Sequence, residues 1–263
     1  MGKVNIKFLG KSQVEEVEAN HLEETVKLKE ETYSIKNLSL NAPVTGTVYG
    51  TLLNYKGALE AMRQAINENP YQKAPQAPIL YIKPANTVSG YGMPIPLPAD
   101  VDKLEIGAAL GIVIGRTATR VGEEEAFSYI SGYPIVNDVS VPHDSVYRPA
   151  IKQKARDGFC PIGPWVVVRD RIADPGSLGI RVYINGEKRQ ENTTANLIRS
   201  VSRLIADVTD FMTLYEGDTL LVGVPENAPL AKAGDQIRIE IDSIGSLENT
   251  IVHEEKLMGG MSI

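Results

Sequence analysis

The stretch LEIGAALGIVIG, residues 104–115, is an apolar run rich in branched side chains, and it follows the loop-forming sequence TVSGYGMPIPLPAD. Valine and isoleucine pack well on a pleated sheet, so the run predicts a buried strand. Further strands are predicted, in chain order, at TGTVYGTLL, ILYIKP, WVVVRD, GIRVYING, DTLLVGVP and DQIRIEIDSIG. These segments do not alternate regularly with helices, so we expect a strand-rich α+β fold with a largely antiparallel sheet.

Three segments have the features of helices. YKGALEAMRQAINENP carries apolar residues at helical spacing before Pro70, and TANLIRSVSRLIADVTDFM has one apolar face. Glu123, Glu124 and Glu125 are predicted to begin a third helix that continues through Tyr129, because the helix dipole favours acidic side chains at the N-terminus.

Residues 1–42 are predicted to form a small N-terminal β domain. In VNIKFL, QVEEVEA and ETVKLKEETYSIKNLSL, apolar and polar residues alternate with a period of two, which is typical of half-buried strands. Asn41, Ala42 and Pro43 mark the boundary, because proline cannot donate to a strand ladder and restricts the residue before it. A larger domain is expected over residues 43–263.

The composition limits the classes of partner. The chain has 263 residues, of which 43% are hydrophobic, and a formal net charge of -6. An acidic chain is a poor ligand for a nucleic-acid backbone or an anionic membrane surface, because both require a surplus of lysine and arginine. No run approaches the roughly 20 apolar residues that span a bilayer, and MGKVNIKFLG lacks the apolar core of a signal peptide. We therefore expect a cytoplasmic protein with no nucleic-acid or membrane partner.

The standard metal and nucleotide motifs are missing from the sequence. It contains no HExxH, no CxxC pair, no P-loop and no strand-opened GxGxxG. Nucleotide binding and structural zinc are therefore not indicated. The single cysteine, Cys160, lies in the apolar sequence FCPIGP, which favours a buried thiol over a nucleophile.

The sequence SVYRPAIKQKARDGFCPIGP, residues 145–164, concentrates positive charge in an acidic chain. Arg148, Lys154 and Arg156 lie within nine residues, and Asp157 supplies a possible counterion. Runs of charge are usually solvated surfaces. Here, however, prolines and large apolar residues would hold the segment against the core and limit the solvation of its cations. Arginine can clamp a carboxylate and lysine acts as a compact point charge, so the segment predicts an anion site for an acidic ligand.

Two other stretches carry titratable side chains next to predicted strands. In GYPIVNDVS, Asp138 could hold a metal ion or a proton, but an Asx turn made by Asn137 or Asp138 is an equally good interpretation. His143 in VPHDS has Asp144 beside it, and a neighbouring carboxylate favours the charged imidazole. A general acid or base role is possible for His143, although a solvated loop histidine is the more ordinary interpretation.

Several stretches agree in order and spacing with one known family: GTLLNY, IKP, LGIVIG, GYPIVNDVS, FCPIGPW, INGEKRQ, GDTLLVGVP and AGDQIRIEIDSIGSLEN. Through them the chain resembles the fumarylacetoacetate hydrolase family over most of its length. The resemblance implies a mixed β-sandwich roll for the larger domain. YRPAIKQKARDGFCPIGP is most similar to the branch of this family that decarboxylates and isomerises 2-oxo acids in 4-hydroxyphenylacetate degradation.

The resemblance also implies a function. Its substrates would be 2-oxo or enol di- and tricarboxylates: 5-oxopent-3-ene-1,2,5-tricarboxylate for the decarboxylation and 2-hydroxyhepta-2,4-diene-1,7-dioate for the isomerisation. Two copies of the fold occur in this branch, fused or as separate subunits, and this chain resembles the N-terminal copy as a separate subunit. A homo-oligomer, or a hetero-oligomer with a homologous subunit, is therefore expected.

Family members hold a divalent metal ion with a Glu-x-Glu pair and an aspartate. Asp138 occupies the aspartate position here, whereas Gly107 and Ala109 stand where the two glutamates would be. Strand alternation makes Glu105 the nearest substitute, roughly 7 Å farther along the strand. Magnesium can bind through a single carboxylate, waters and substrate oxygens, so the resemblance implies at most a weak magnesium site at Asp138 and no complete set of metal ligands.

The cationic side of the family's pocket is retained, because Lys154, Asp157 and Gln190 match its pocket positions. Negative charge develops on the 2-oxo oxygen as an enolate forms, and a fixed cation stabilises it. The resemblance therefore implies that Lys154 is catalytic and that Asp138 or His143 moves the proton. The residues implied to bind the substrate are Arg148, Asp157 and Gln190. The alternative is a catalytically reduced partner that supports a metal-bearing homologous subunit, and a simple dicarboxylate-binding module is a third hypothesis.

Overall fold

The structure is a computed structural model that describes residues 1–143, 145 and 149–258. The strands are β1 (Gly2–Phe8), β2 (Glu15–Asn20), β3 (Thr25–Leu28), β4 (Glu31–Ser34), β5 (Leu40–Asn41), β6 (Val48–Leu52), β7 (Ile79–Lys83), β8 (Val88–Ser89), β9 (Ile95–Leu97), β10 (Leu104–Glu105), β11 (Ala108–Ile114), β12 (Ile130–Asn137), β13 (Cys160–Val168), β14 (Gly179–Ile184), β15 (Glu187–Thr193), β16 (Thr219–Leu221), β17 (Leu230–Ala231), β18 (Gln236–Ile241) and β19 (Gly245–His253). The α-helices are α1 (Lys56–Ala61), α2 (Arg63–Ile66), α3 (Ile151–Lys154), α4 (Val201–Thr209) and α5 (Glu254–Met258). Short 3-10 helices lie at Ile35–Asn37, Ala85–Thr87, Ala126–Tyr129, Arg169–Arg171 and Thr194–Asn196.

The strands form a large sheet, a smaller sheet and a separate two-stranded sheet. The large sheet has the order β4-β3-β2-β1-β13-β12-β11-β16-β6-β7, with β5 on β1 and β8 on β13. The smaller sheet has the order β15-β14-β18-β19-β9, and β10 pairs with β17. Among the described strands, only the β6–β16, β8–β13 and β9–β19 pairs are parallel. The predicted strand-rich α+β fold with a largely antiparallel sheet is therefore confirmed.

Strand β11 is buried on both faces. All seven of its residues are buried, and alternate residues belong to two different apolar clusters. Leu110 and Ile112 pack in the larger cluster, whereas Ala109 and Val113 pack in a smaller one with Val136 and other residues of the neighbouring strands. The predicted buried strand is confirmed from residue 108 onward. It is not continuous from residue 104, because the backbone amide and carbonyl of residue 105 bond to Ser140 instead.

The first 42 residues contribute β1–β5 to the large sheet. Val4 of β1 pairs with Val167 of β13, and β1 also pairs with β5. Val4 and Ile6 belong to the larger apolar cluster, which extends through both sheets. The strands predicted in this segment are confirmed, and the division into two domains at residue 42 stays a prediction.

The helices are shorter than the sequence pattern predicts. The segment predicted as one helix before Pro70 is two short helices, α1 and α2, separated at Met62. The helix predicted to begin at residue 194 begins at Val201, because the preceding backbone is extended: Leu197 forms a β-bridge with Tyr55. The glutamates before residue 126 lead into a 3-10 helix rather than an α-helix.

The longest α-helix in the described part of the chain, α4, has nine residues. No helix within that part is long and apolar enough to cross a membrane.

Candidate active site

A compact group of charged side chains lies where β12 ends. Asp138 follows that strand, and its carboxylate is fully buried between two lysines. Lys83 Nζ lies 3.0 Å from Asp138 Oδ1, and Lys154 Nζ lies 3.1 Å from Oδ2. The hydroxyl of Tyr81 donates a hydrogen bond to the same Oδ2. We call Tyr81, Lys83, Asp138 and Lys154 the lysine–aspartate cluster.

The cluster is assembled from three separate elements. Tyr81 and Lys83 lie two residues apart on β7, so strand alternation directs them to one face. Tyr81 pairs with Gly50 of β6, where a Cβ would overlap the tyrosine ring, so only glycine leaves room for it. Lys154 ends the short helix α3, whose last carbonyl accepts a hydrogen bond of 2.7 Å from Lys83 Nζ.

Burial and pairing fix the charge states in this cluster. Burial alone would raise the pKa of Asp138, but the ammonium groups of Lys154 and Lys83 lower that pKa well below its usual range. Burial, followed by the charge of Asp138, raises the pKa of Tyr81 well above its usual value. At neutral pH Asp138 is therefore a carboxylate and Tyr81 a neutral hydrogen-bond donor.

The cluster opens to solvent through Lys154. The side chain of Lys154 is 12% exposed, whereas those of Lys83 and Asp138 are fully buried. One carboxylate against two ammonium groups leaves a net charge of +1. The Lys154 ammonium also lies 4.9 Å from the centre of the Tyr81 ring, which limits its freedom. A fixed, partly accessible cation of this kind can stabilise negative charge on a bound oxygen.

The structure brings two of the predicted catalytic residues, Asp138 and Lys154, into contact. His143 lies in the loop after β12, and its Nδ1 is 2.9 Å from the carbonyl oxygen of Val141. Arg148, predicted to bind substrate, lies outside the described residues.

The other predicted binding residues lie elsewhere. Asp157 is exposed, and its carboxylate accepts a hydrogen bond of 2.6 Å from Asn86 rather than joining the lysine–aspartate cluster. Gln190 lies on β15 and donates a hydrogen bond of 2.5 Å to the carbonyl of Glu226. Cys160 is buried, as predicted, and burial raises the pKa of its thiol to about 12. Such a thiol is a poor nucleophile at neutral pH.

Gln190 belongs to a second polar group around Glu226. Asn192 donates to Glu226 Oε1 at 3.0 Å, and the glutamate lies so close to Gly57 that a Cβ there would overlap its carboxyl group. Within this group lie three of the buried oxygens that lack a hydrogen-bond partner in the described ranges: Tyr55 Oη, Gln190 Oε1 and Glu226 Oε2. Burial, with the charge of Glu226, raises the pKa of Tyr55 above its usual value.

Sequence reasoning assigned no role to Tyr81, Lys83 or Glu226. A signal for the first two was present in ILYIKP, where the period of two places Tyr81 and Lys83 on one face of the predicted strand. Lysine is rarely buried without a partner, so a lysine on such a strand indicates a buried acceptor. Nothing in the local sequence singles out Glu226.

The side chains near Asp138 do not provide a complete set of ligands for a divalent metal ion. Gly107 and Ala109 offer no ligand atoms, and a Cβ on Gly107 would overlap the carbonyl oxygen of Asp138. The carboxylate of Glu105 accepts a hydrogen bond of 3.0 Å from Ser140 Oγ. Residues 1–143, 145 and 149–258 contain no group of three His, Cys, Asp or Glu side chains placed to hold a metal ion.

Comparison with known proteins places the chain in a family. Residues 47–252 match the model of the fumarylacetoacetate (FAA) hydrolase C-terminal domain. The chain belongs to the fumarylacetoacetate hydrolase family. The Escherichia coli 4-hydroxyphenylacetate degradation bifunctional isomerase/decarboxylase is 40% identical to it over 212 residues. That match covers 81% of this chain and 48% of the relative, so the chain spans about half the length of this relative.

Two solved structures of similar proteins agree with the fold. The 2-hydroxyhepta-2,4-diene-1,7-dioate isomerase from Mycobacterium marinum has a TM-score of 0.75 and 26% identity, and the match covers 97% of this chain and 99% of that one. Maleylpyruvate hydrolase from Sphingobium sp. SYK-6, in complex with manganese(II) and pyruvate, has a TM-score of 0.69 and 28% identity, covering 85% of this chain and 77% of that one. The predicted family and fold class are confirmed.

Proposed function

We propose that this member of the fumarylacetoacetate hydrolase family is a subunit that isomerises 2-hydroxyhepta-2,4-diene-1,7-dioate and decarboxylates 5-oxopent-3-ene-1,2,5-tricarboxylate in 4-hydroxyphenylacetate catabolism. The names of the relatives from Escherichia coli and Mycobacterium marinum support this choice of reactions. The observation that carries it is the partly exposed ammonium of Lys154, fixed by the buried Asp138.

Both reactions need a cation close to the oxygen next to the carboxylate of the 2-oxo or enol acid unit: the 2-hydroxyl oxygen of the dienedioate and the 5-oxo oxygen of the tricarboxylate. In isomerisation, the 2-hydroxyl group loses its proton and a carbon of the diene gains one. In decarboxylation, the bond between the carboxylate and the chain breaks, its electron pair enters the enolate and carbon dioxide leaves. In each case negative charge develops on that oxygen, and the preorganised ammonium of Lys154 stabilises that charge.

Asp138 acts in this proposal as the counterion that positions Lys154. Its two oxygens are already held by Lys83, Lys154 and Tyr81. Proton transfer is therefore assigned to His143, the other residue predicted for that role. The segment that carries His143 is held next to α3 by a backbone hydrogen bond of 3.0 Å from Val141 to Gln153.

The remaining roles rest on the family resemblance. Arg148, Asp157 and Gln190 are proposed to bind the carboxylates and polar groups of a small-molecule substrate. A weak magnesium site at Asp138, a cytoplasmic location and assembly into a homo- or hetero-oligomer stay predictions.

The test is the Lys154→Met variant, assayed for both reactions with the purified chain. Loss of the ammonium should lower kcat by about 100-fold or more, because a single preorganised oxyanion partner typically contributes that much. Lys152→Met is the matched control, because Lys152 lies on the same helix and its side chain is 78% exposed. The activity of this variant should equal that of the wild type. Unchanged rates for Lys154→Met would contradict the assignment.

The second candidate function is that of a catalytically reduced partner for a metal-bearing homologous subunit. Gly107 and Ala109, which stand in place of metal ligands, favour it. Assays of the chain alone, and then mixed with the homologous subunit, separate the two functions. Substantial turnover by the chain alone excludes the partner role, whereas turnover only in the mixture supports it.

A further inference from the structure

Glu226 has a carboxyl group that is held through one oxygen and unpartnered at the other, within the part of the chain that the structure describes. Its Oε1 accepts a hydrogen bond of 3.0 Å from Asn192 Nδ2. Its Oε2 is buried and lacks a hydrogen-bond partner in the described ranges. Buried polar atoms are nearly always hydrogen-bonded, so such an exception calls for an explanation, and a catalytic role is one of the few.

The support around this carboxyl group is rigid. Gln190 and Asn192 lie two residues apart on β15, so strand alternation directs both side chains to the face that meets Glu226. Gln190 Nε2 donates a hydrogen bond of 2.5 Å to the Glu226 backbone carbonyl, and Asn192 Oδ1 accepts one of 3.0 Å from Asn196. Backbone and carboxyl group are thus both fixed, which leaves Oε2 in a defined position.

Within the described ranges, Glu226 takes part in no ion pair. Lys188 and Arg189 of β15 pair with glutamates of their own strand, and Lys56 Nζ donates to the carbonyl of Ala195. Ionised side chains with buried atoms are usually paired, so a structural cross-link does not account for this carboxyl group.

The loop that carries Glu226 follows the strand segment next to Asp138. Residues 222–229 run beside residues 106–110, with backbone hydrogen bonds of 3.1 Å and 2.9 Å at the two ends. On the other edge of the same segment, Asp138 N donates a hydrogen bond of 2.7 Å to the carbonyl of Gly107. Glu226 and the lysine–aspartate cluster therefore flank one stretch of backbone.

The family resemblance connects the two groups through the substrate. Lys154 and Gln190 both match positions of the family's pocket. Gln190 is bonded to Glu226, so a substrate whose 2-oxo or enol end lies at Lys154 is expected to extend toward Glu226.

Isomerisation needs proton transfer at two different atoms of the substrate. The 2-hydroxyl oxygen loses a proton, and a carbon of the diene gains one. Lys154 and His143 are assigned to the oxygen, which leaves the carbon without an acid or a base. Decarboxylation has no such requirement, because the electron pair of the broken bond enters the enolate, and its oxygen takes up the proton.

We propose that Glu226 is the catalytic acid and base that exchanges the proton at the diene carbon. As the O–H bond of the 2-hydroxyl group breaks, its electron pair forms the C=O double bond, the diene electrons shift, and the Glu226 carboxyl group gives its proton to the carbon. The proton from the oxygen goes to His143, and exchange with water restores both side chains. This role rests on the proposed function, and it belongs to isomerisation alone.

The first test is Glu226→Gln, which keeps the shape of the side chain and the acceptor for Asn192. The kcat of isomerisation should fall by about 100-fold or more with KM unchanged, as expected for loss of a general acid or base. The ratio of isomerisation to decarboxylation, followed by diene absorbance and by carbon dioxide release, should fall by a similar factor. Glu216→Gln is the matched control, because Glu216 is exposed, and both of its rates should equal those of the wild type.

The second test is chemical rescue of Glu226→Ala. Formate is a small carboxylic acid that can enter the space of the deleted side chain. It should restore isomerisation in proportion to its concentration, whereas chloride at the same ionic strength should not. A purely structural loss would respond equally to the two anions.

Unchanged isomerisation in Glu226→Gln, an equal fall in both rates, or equal effects of formate and chloride would each overturn the role of Glu226 and leave the proposed function in place. A wild-type chain that turns over neither substrate would overturn both together. If Glu226→Ala does not fold, the rate ratio of Glu226→Gln decides alone.

Discussion

The lysine–aspartate cluster and a second group of ion pairs, centred on the smaller sheet, differ in their charge balance. In the second group, Arg238 of β18 pairs with Glu24 at 2.5 Å, with Glu240 at 2.7 Å and with Glu248 of β19. We call these four residues the Arg238 network. Its carboxylates outnumber its single guanidinium, whereas cations outnumber the carboxylate in the lysine–aspartate cluster.

The two groups also differ in their contact with water. Arg238 is 33% exposed, and a cavity of about 610 Å³ lies beside it. Lys36 pairs with Glu248, and Arg181 pairs with Glu240 and Asp242, so three cations face four carboxylates. The Arg238 network therefore connects the N-terminal hairpin to the smaller sheet and offers no surplus cation to an acidic ligand. The comparison supports the lysine–aspartate cluster as the candidate site because its net charge is positive, whereas the cavity beside Arg238 has no surplus cation.

The largest predicted effect in this comparison is that of Asp138→Asn on stability. The substitution keeps the shape of the side chain but leaves two ammonium groups without a counterion, one of them fully buried. We expect the free energy of unfolding to fall by about 3 kcal/mol, as measured for other buried pairs that lose one partner. Urea denaturation monitored by tryptophan fluorescence gives the value.

Asp170→Asn is the control for that substitution, because Asp170 pairs with Arg169 at an exposed position. Its unfolding free energy should stay within about 0.5 kcal/mol of the wild type. If the two variants proved equally stable, the lysine–aspartate cluster would have to be more hydrated than the structure indicates.

The sequence predicted the sheet better than the helices, for a physical reason. The apolar run of β11 predicts a strand buried on both faces, since the residues on both of its faces are apolar. The helix predicted from residue 194 is helical only from Val201, because the backbone before it pairs with a segment far away in the chain: Ile198 donates to the carbonyl of Asn54. Local periodicity carries no information about such a partner.

The same limit applies to the candidate site. Asp138 and Lys154 were predicted from their local sequence and from the family resemblance, and only 16 positions separate them. Tyr81 is 57 positions from Asp138, and β11, β16 and β6 lie between β12 and β7 in the sheet order, so only the fold of the whole sheet brings the two side chains together. ILYIKP shows which face Lys83 points to, but it does not show which acid meets it.

A smaller effect is expected when the Arg238 network loses its cation. Arg238→Met leaves Glu24, Glu240 and Glu248 close together, but water screens their repulsion and Lys36 still pairs with Glu248. The free energy of unfolding should fall by about 1 kcal/mol, near the upper end for partly exposed pairs. Urea denaturation checks this value, and a loss as large as that of Asp138→Asn would remove the distinction between the two groups.

The smallest predicted effect is a change with pH in the difference in unfolding free energy between the wild type and Arg238→Met. Burial would raise the pKa of Glu24, but hydrogen bonds from Arg238 and Ser246 lower it below its ordinary value of 4.5. A carboxyl group with a lowered pKa contributes stability above 4.5 and loses that contribution as the pH falls through its pKa in the folded protein. Urea denaturation of the wild type and Arg238→Met, at neutral pH and at pH values below 4.5, should therefore show the two curves converging in acid. A difference that stayed constant into acid would mean that Arg238 stabilises the fold by packing its apolar stem instead of by its charge.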